Sequence, residues 1–132
     1  MTNRSTPEHR HSHPDVDYAV PIEYGRSRVN VEMGVSDGDV NWFIVQLEQN
    51  VGQTYGERDW RQVARFDHHP DAAWGHDVES ERLHLDLYQD GRKVDVQRGF
   101  PSVTAENAPA YCERFLKSRA EELLEKYGPR DR

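Results

Sequence analysis

A chain of 132 residues with a formal charge of −7 has the length of one domain, and its acid excess argues against a general phosphate-tracking surface, which needs clustered Lys and Arg. Only three of its 17 basic residues are lysines, Lys93, Lys117 and Lys126; a halophilic surface kept hydrated by carboxylates and a GC-rich genome that replaces Lys with Arg both fit that bias. No run approaches the roughly 18 apolar residues of a membrane span, and the single cysteine, Cys112, allows no intramolecular disulfide, so a cytoplasmic protein is expected.

Residues 1–16 (MTNRSTPEHRHSHPDV) are polar and show no apolar periodicity. They bury too little surface to offset the entropy of ordering, and the expectation is a disordered tail ahead of a single domain over residues 17–132. The tail has no apolar h-region, so no secretory signal is expected. His9, His11 and His13 alternate within it. That spacing fits a metal-catching tract or a solvated tail, and the cost of ordering weighs toward the tail.

The chain turns mildly apolar from Tyr18 to Tyr24, around Pro21. Arg28 to Met33 then alternates, with Val29, Val31 and Met33 on one side, and predicts a first strand. Asp37-Gly38 is a hairpin signal. Val40 to Glu48 predicts a second strand with Phe43, Val45 and Leu47 on one face and Trp42 and Ile44 on the other. After a Gly-containing loop, Trp60 to Phe66 predicts a third strand with imperfect alternation, in which Trp60, Gln62, Ala64 and Phe66 share a face opposite Val63. A long irregular connection over residues 67–80 follows, and such connections are frequently functional. Arg82 to Gln89 predicts a fourth strand, with Leu83, Leu85 and Leu87 opposite His84, Asp86 and Tyr88. Asp90-Gly91 turns the chain into a fifth, Arg92 to Arg98.

The last predicted element is a helix from about Thr104 to Tyr127. Thr104 is its candidate cap, Pro109 sits early where a missing N–H costs least, and Gly128-Pro129 stops it. Tyr111, Cys112, Phe115, Leu116, Ala120, Leu123, Leu124 and Tyr127 form an apolar stripe at helical spacing. The fold class is therefore α+β, an antiparallel sheet of four to five strands with one long C-terminal helix packed on it. Apolar residues on both faces of the second strand exceed what one helix covers, so a homodimer is expected.

Residues 67–86 hold four of the seven histidines (His68, His69, His76, His84) together with Asp67, Asp71, Asp77 and Asp86. His84 and Asp86 lie two apart on a strand and share a face. Should the third and fourth strands pair, Asp67, His69 and His76 come near that face. Three readings are open. The cluster binds Zn²⁺, Mn²⁺ or non-haem iron, although no HExxH, paired-Cys or helical His pair supports a metal. It works without metal or other cofactor as general acid and base, with Arg65 or Arg82 clamping a phosphate, which is the toolkit of a metal-independent ribonuclease. Or the residues are solvated polar positions on a hairpin.

The run from Ala64 to Gly91 (ARFDHHPDAAWGHDVESERLHLDLYQDG) resembles the corresponding stretch of the TumE-type toxins of bacterial and archaeal toxin–antitoxin pairs. There a strand ending Ala-Arg-Tyr/Phe-Asp precedes a His-containing loop, a His-rich strand and an Asp/Glu-Gly turn. The matching positions are Ala64, Arg65, Phe66, Asp67, His76, His84 and Gly91, and Asp86 stands where that family tends to carry a second histidine. The resemblance implies a toxin acting on RNA and neutralised by an antitoxin protein. His84, His76 and Asp67, with Asp86, would carry the acid–base work, and Arg65 and Arg82 would hold phosphate. Two rival expectations are a non-enzymatic module that docks a partner protein and a small metal-dependent His/Asp enzyme.

Overall fold

The computed structural model describes residues 13–54, 56–71 and 75–129. Six strands follow one another in space as they do in sequence: β1 (Val16–Glu23), β2 (Ser27–Ser36), β3 (Asp39–Asn50), β4 (Trp60–His68), β5 (Leu85–Gln89) and β6 (Arg92–Gln97). Every neighbouring pair is antiparallel. A single turn of helix, α1 (Val78–Glu81), interrupts the connection from β4 to β5, and a 20-residue helix, α2 (Ala108–Tyr127), closes the chain. The meander follows from short polar connections between alternating segments, since antiparallel neighbours need only a tight turn. Two of those turns are Asp-Gly pairs with both residues at positive φ (Asp37 52°, Gly38 82°; Asp90 54°, Gly91 83°), the backbone that two-residue hairpins require.

The sheet has six strands where the sequence predicts four to five. The missed strand is β1, which carries Pro21 and is mostly exposed. It is an edge strand, so it needs no apolar alternation and tolerates a residue without an N–H. Its pairing starts inside the expected tail: the Asp15 amide donates to Met33 O at 2.8 Å, and Asp15 Oδ2 accepts from the Val35 amide at 2.8 Å. Residues 1–12 of that tail, including His9 and His11, lie outside the described residues.

Register separates two faces. On the first, Val29, Val31, Phe43, Val45, Leu47 and Phe66 are fully buried and meet Cys112, Leu116 and Ala120 of α2 in one core. Each such side chain stabilises the fold by about 1.5–3 kcal/mol. Phe100, on the approach to α2, packs edge-on against Phe66 and Phe115 with ring centroids 5.1 and 5.0 Å apart. The helix starts at Ala108 rather than Thr104. Thr104 and Asn107 hold a turn just before it, each side chain accepting the other's amide (2.9 and 3.2 Å), and that exchange delays the first helical residue.

The second face carries Trp42, Ile44, Gln46 and Glu48 of β3, Arg65 and Asp67 of β4, and Asp86 of β5. A bulge in β4 sets its composition. Ala64 opposes Leu47 while Gln62 opposes Glu48, so Val63 is an extra residue. Trp60 and Gln62 therefore sit on the second face, not on that of Ala64 and Phe66 as strict alternation predicts. Arg28 lies over the Trp60 ring at 4.1 Å and donates to Glu48 at 2.7 Å.

Trp42 lies flat across Gly34, its partner on β2; a Cβ at Gly34 would occupy the indole's place. The other side of the indole stacks on His69 at 5.7 Å, and Ile44 is 1% exposed. The apolar surface from which a dimer is expected, Trp42 and Ile44, is thus already buried within the chain, with His69 after β4 covering Trp42. Among the described residues no helix is long and apolar enough to cross a membrane.

Candidate functional site

Four segments meet on the second face at the β4–β5 seam. Arg65 pairs with Asp86 across the two strands, and Asp67, two residues on, shares their face. The chain leaving β4 folds back over this face. The His69 amide donates to His76 O at 2.8 Å, closing the loop. At Gly75 a Cβ would run into the His69 carbonyl, so the loop closes this tightly only with glycine before His76. The His76 amide then donates to Asp67 Oδ1 at 3.1 Å. Asp77 caps α1 by accepting from the Glu79 amide at 3.1 Å, and the turn carries Glu81 to His76, whose Nδ1 lies 3.2 Å from Glu81 Oε1. His76 Nε2 faces Asp86 Oδ2 at 3.8 Å, an ion-pair contact longer than a hydrogen bond. The His84 ring meets that of His76 edge to face, with centroids 4.8 Å apart.

His84, His76, Asp67 and Asp86 are therefore brought together. Asp67 and Asp86 are buried to 2% and 1% exposure, while the two imidazoles are half-buried at the rim. Arg65 is placed inside, at 6% exposure, with Nε 3.5 Å from Asp67 Oδ2 and its guanidinium 5.5 Å from the Tyr88 ring centre. That position does not turn it toward solvent, where a phosphate would arrive. Arg82 is exposed beyond α1, at φ 68°. His68 and His69 belong to the scaffold. His68 Nδ1 accepts from the Val78 amide at 3.1 Å while its ring stacks on Phe43, and His69 covers Trp42.

Two participants were not singled out from the sequence. Lys93 of β6 brings Nζ to 3.5 Å from Asp86 Oδ2, and Glu81 holds His76. Lys93 sits on β6, beside the strand that carries Asp86, so strand pairing alone could have nominated it. Glu81 could not be found that way, because its reach depends on the turn of α1.

The charges sort unevenly. Burial pushes the Asp67 carboxyl up, against the pull of Arg65 and His76. Burial acts on Asp86 in the same sense, but His76, Lys93 and Arg65 outweigh it and its carboxyl ends below the usual range. His76 is raised to about 9, first by Asp86, with Asp67 and Glu81 adding and burial opposing. His84 is lowered, first by burial, then by the positive fields of His76 and Arg98. Two carboxylate oxygens, Asp67 Oδ2 and Asp86 Oδ1, are buried without a hydrogen bond among the described residues.

A family model described as a domain of unknown function, DUF7718, matches residues 9–132. The chain belongs to that family. No curated protein and no solved structure matches it. The family's description names no activity. A cavity of about 550 Å³ lies elsewhere, between the β1–β2 turn and the β3–β4 loop, lined by Tyr24, Arg26, Asn50, Gln53 and Arg58 among others. It holds none of the His/Asp cluster.

Proposed function

We propose that the His/Asp cluster is a reaction centre for cleaving RNA phosphodiesters, and that the chain is a toxin-like ribonuclease. One observation carries the reading: two almost fully buried aspartates and two imidazoles from separate segments converge on one spot. Withdrawing a carboxylate from water costs several kcal/mol unless it is paired, and a well-packed apolar group would stabilise the same place more cheaply. Such concentrations of perturbed groups mark functional sites. The resemblance to TumE-type toxins over residues 64–91 supports the choice of RNA, as do the cations Lys93 and Arg98 beside the cluster.

Cleavage by the 2′-hydroxyl needs one group to remove its proton as the oxygen attacks phosphorus. A second group gives a proton to the 5′-oxygen as the P–O bond breaks. His84, the more open ring, suits the first role. The second falls to a water held beside His76. Lys93 and Arg98, rather than the buried Arg65, are placed to meet phosphate. On this reading a cognate antitoxin protein would cover the rim and keep the enzyme silent.

The test is incubation of the purified chain with single-stranded RNA and with the same sequence as DNA. RNA is cut to 2′,3′-cyclic phosphate ends and DNA, which lacks the attacking hydroxyl, is left whole. Intact RNA at stoichiometric protein would remove the ribonuclease reading.

A further inference from the structure

We infer that Asp67, Asp86 and Nε2 of His76 form a binding site for one divalent cation of the Zn²⁺ or Mn²⁺ class. The inference deepens the ribonuclease reading, and rests on it for the use of the metal though not for its binding.

The ligand atoms of these three residues lie within 4.8 Å of one another, so modest side-chain rotation brings all three onto one ion at the usual bond lengths of about 2.0–2.2 Å. The cage is assembled by backbone. Asp67 and Asp86 stand on adjacent strands whose register is fixed by the Arg65–Asp86 pair. His76 is pinned to Asp67 through its own amide at 3.1 Å. The decisive feature is the state of the two carboxylates. Asp67 is 2% and Asp86 1% exposed, yet Asp86 Oδ1 has no hydrogen-bond partner among the described residues, and Asp67 Oδ2 has none beyond the 3.5 Å ion-pair contact with Arg65 Nε. Buried acceptors left unsatisfied are costly in a native fold, and a cation satisfies both at once.

His76 is oriented as a ligand is. Glu81 Oε1 stands 3.2 Å from Nδ1, which leaves Nε2 pointing toward Asp86. A carboxylate behind a histidine in this way fixes its tautomer and strengthens its ring as a metal ligand. Two carboxylates and one imidazole suit borderline and hard divalent ions, and three protein ligands leave room for water or a phosphate oxygen. Lys93, whose side chain is 46% exposed, balances Asp86 from the solvent side and can swing away when an ion enters. A second grouping, His76 with Glu81 and His84, also falls within 4.8 Å. It contains a half-exposed glutamate and no unsatisfied buried atom, so the inner set is the stronger cage.

The experiment is calorimetric titration of the full chain with ZnCl₂ and with MnCl₂, in a background where His9, His11 and His13 are replaced by Ala so that the tail contributes no ligands. Thermal melts run with and without chelator. One ion should bind per chain and raise the melting temperature, and chelator should reverse the rise. D86N and H76A should each weaken binding by well over tenfold. Glu81→Gln, at a half-exposed position outside the cage, should fold normally and weaken it by roughly ten- to a hundredfold. Absence of saturable binding, or undiminished binding by folded Glu81→Gln and D86N, overturns the site. RNA cleavage separates the two ideas. Cleavage that persists in excess chelator retains the ribonuclease and removes the metal, whereas stoichiometric binding by a chain that cuts no RNA retains the metal site and removes the ribonuclease.

Discussion

The two faces of the sheet are built on opposite principles. The face under α2 is apolar and continuous, with Val31, Val45 and Leu47 at 0% exposure against Leu116 of the helix. The opposite face is just as buried around Asp67 and Asp86, but its contents are ionic and its cover is a loop pinned by backbone hydrogen bonds from His69 and His76. One face gains from burial; the other spends stability on it. The lesson is that burial alone does not locate the core: the sign of its energetic effect does, and a second, polar buried layer is where function is to be sought.

The largest effect that sharpens this contrast is at Leu116. Leu116→Ala should lower the unfolding free energy by about 2–5 kcal/mol, since the helix and sheet cannot fully collapse around the cavity. Urea denaturation reads the loss, while specific activity per folded molecule stays unchanged. A loss under about 1 kcal/mol would mean that the helix face is not the core. Next comes Gly34→Ala. The added methyl displaces the Trp42 ring, which uncovers His69 and costs roughly 1–3 kcal/mol. Trp emission should shift to the red, and an unshifted spectrum with full stability would contradict the packing of the loop on Trp42.

The smallest effect is at the edge. Tyr18 on β1 donates its hydroxyl to Glu113 Oε1 of α2 at 2.6 Å, and burial, then Glu113, pushes its pKa up to about 12. The native state therefore holds this proton more tightly than the unfolded chain, whose tyrosine titrates near 10. The bond's stabilisation is complete below pH 10 and is lost as the pH rises toward 12. At 41% exposure the contribution is screened and stays under about 1 kcal/mol. Tyr18→Phe should flatten the alkaline limb of the stability curve and lower neutral-pH stability by less than about 1 kcal/mol. Identical alkaline limbs in the two proteins would remove the contact.

Much of the apolar face was legible in the sequence, because period-two alternation in Val29–Met33 and Phe43–Leu47, Asp-Gly turns and a helical stripe are all local signals. β1 was not, since an edge strand holding Pro21 is paired through backbone atoms that carry no side-chain pattern. The bulge at Val63 was visible only as spoiled alternation, and it inverted the placing of Trp60 and Gln62. For the cluster, the density of His and Asp between residues 67 and 86 marked a stretch whose Asp67, His76, His84 and Asp86 come together in space. Which atoms meet was not legible. The tight turn at Gly75 selects His76 and puts His69 on Trp42, and the β4–β5 register places Arg65 between Gln46 and Asp86 instead of in solvent. Both are long-range facts that spacing along the chain does not encode.

The central claim is that the second face is kept for chemistry and not for stability, and His84→Ala tests it most directly. Its ring is half-buried at the rim, edge-on to His76. RNA cleavage and urea denaturation should be measured on the same preparation of this variant and of the wild type. Cleavage should be abolished while the unfolding free energy changes by no more than about 0.5 kcal/mol. Full cleavage by His84→Ala, or a loss of stability and activity in step, would contradict it.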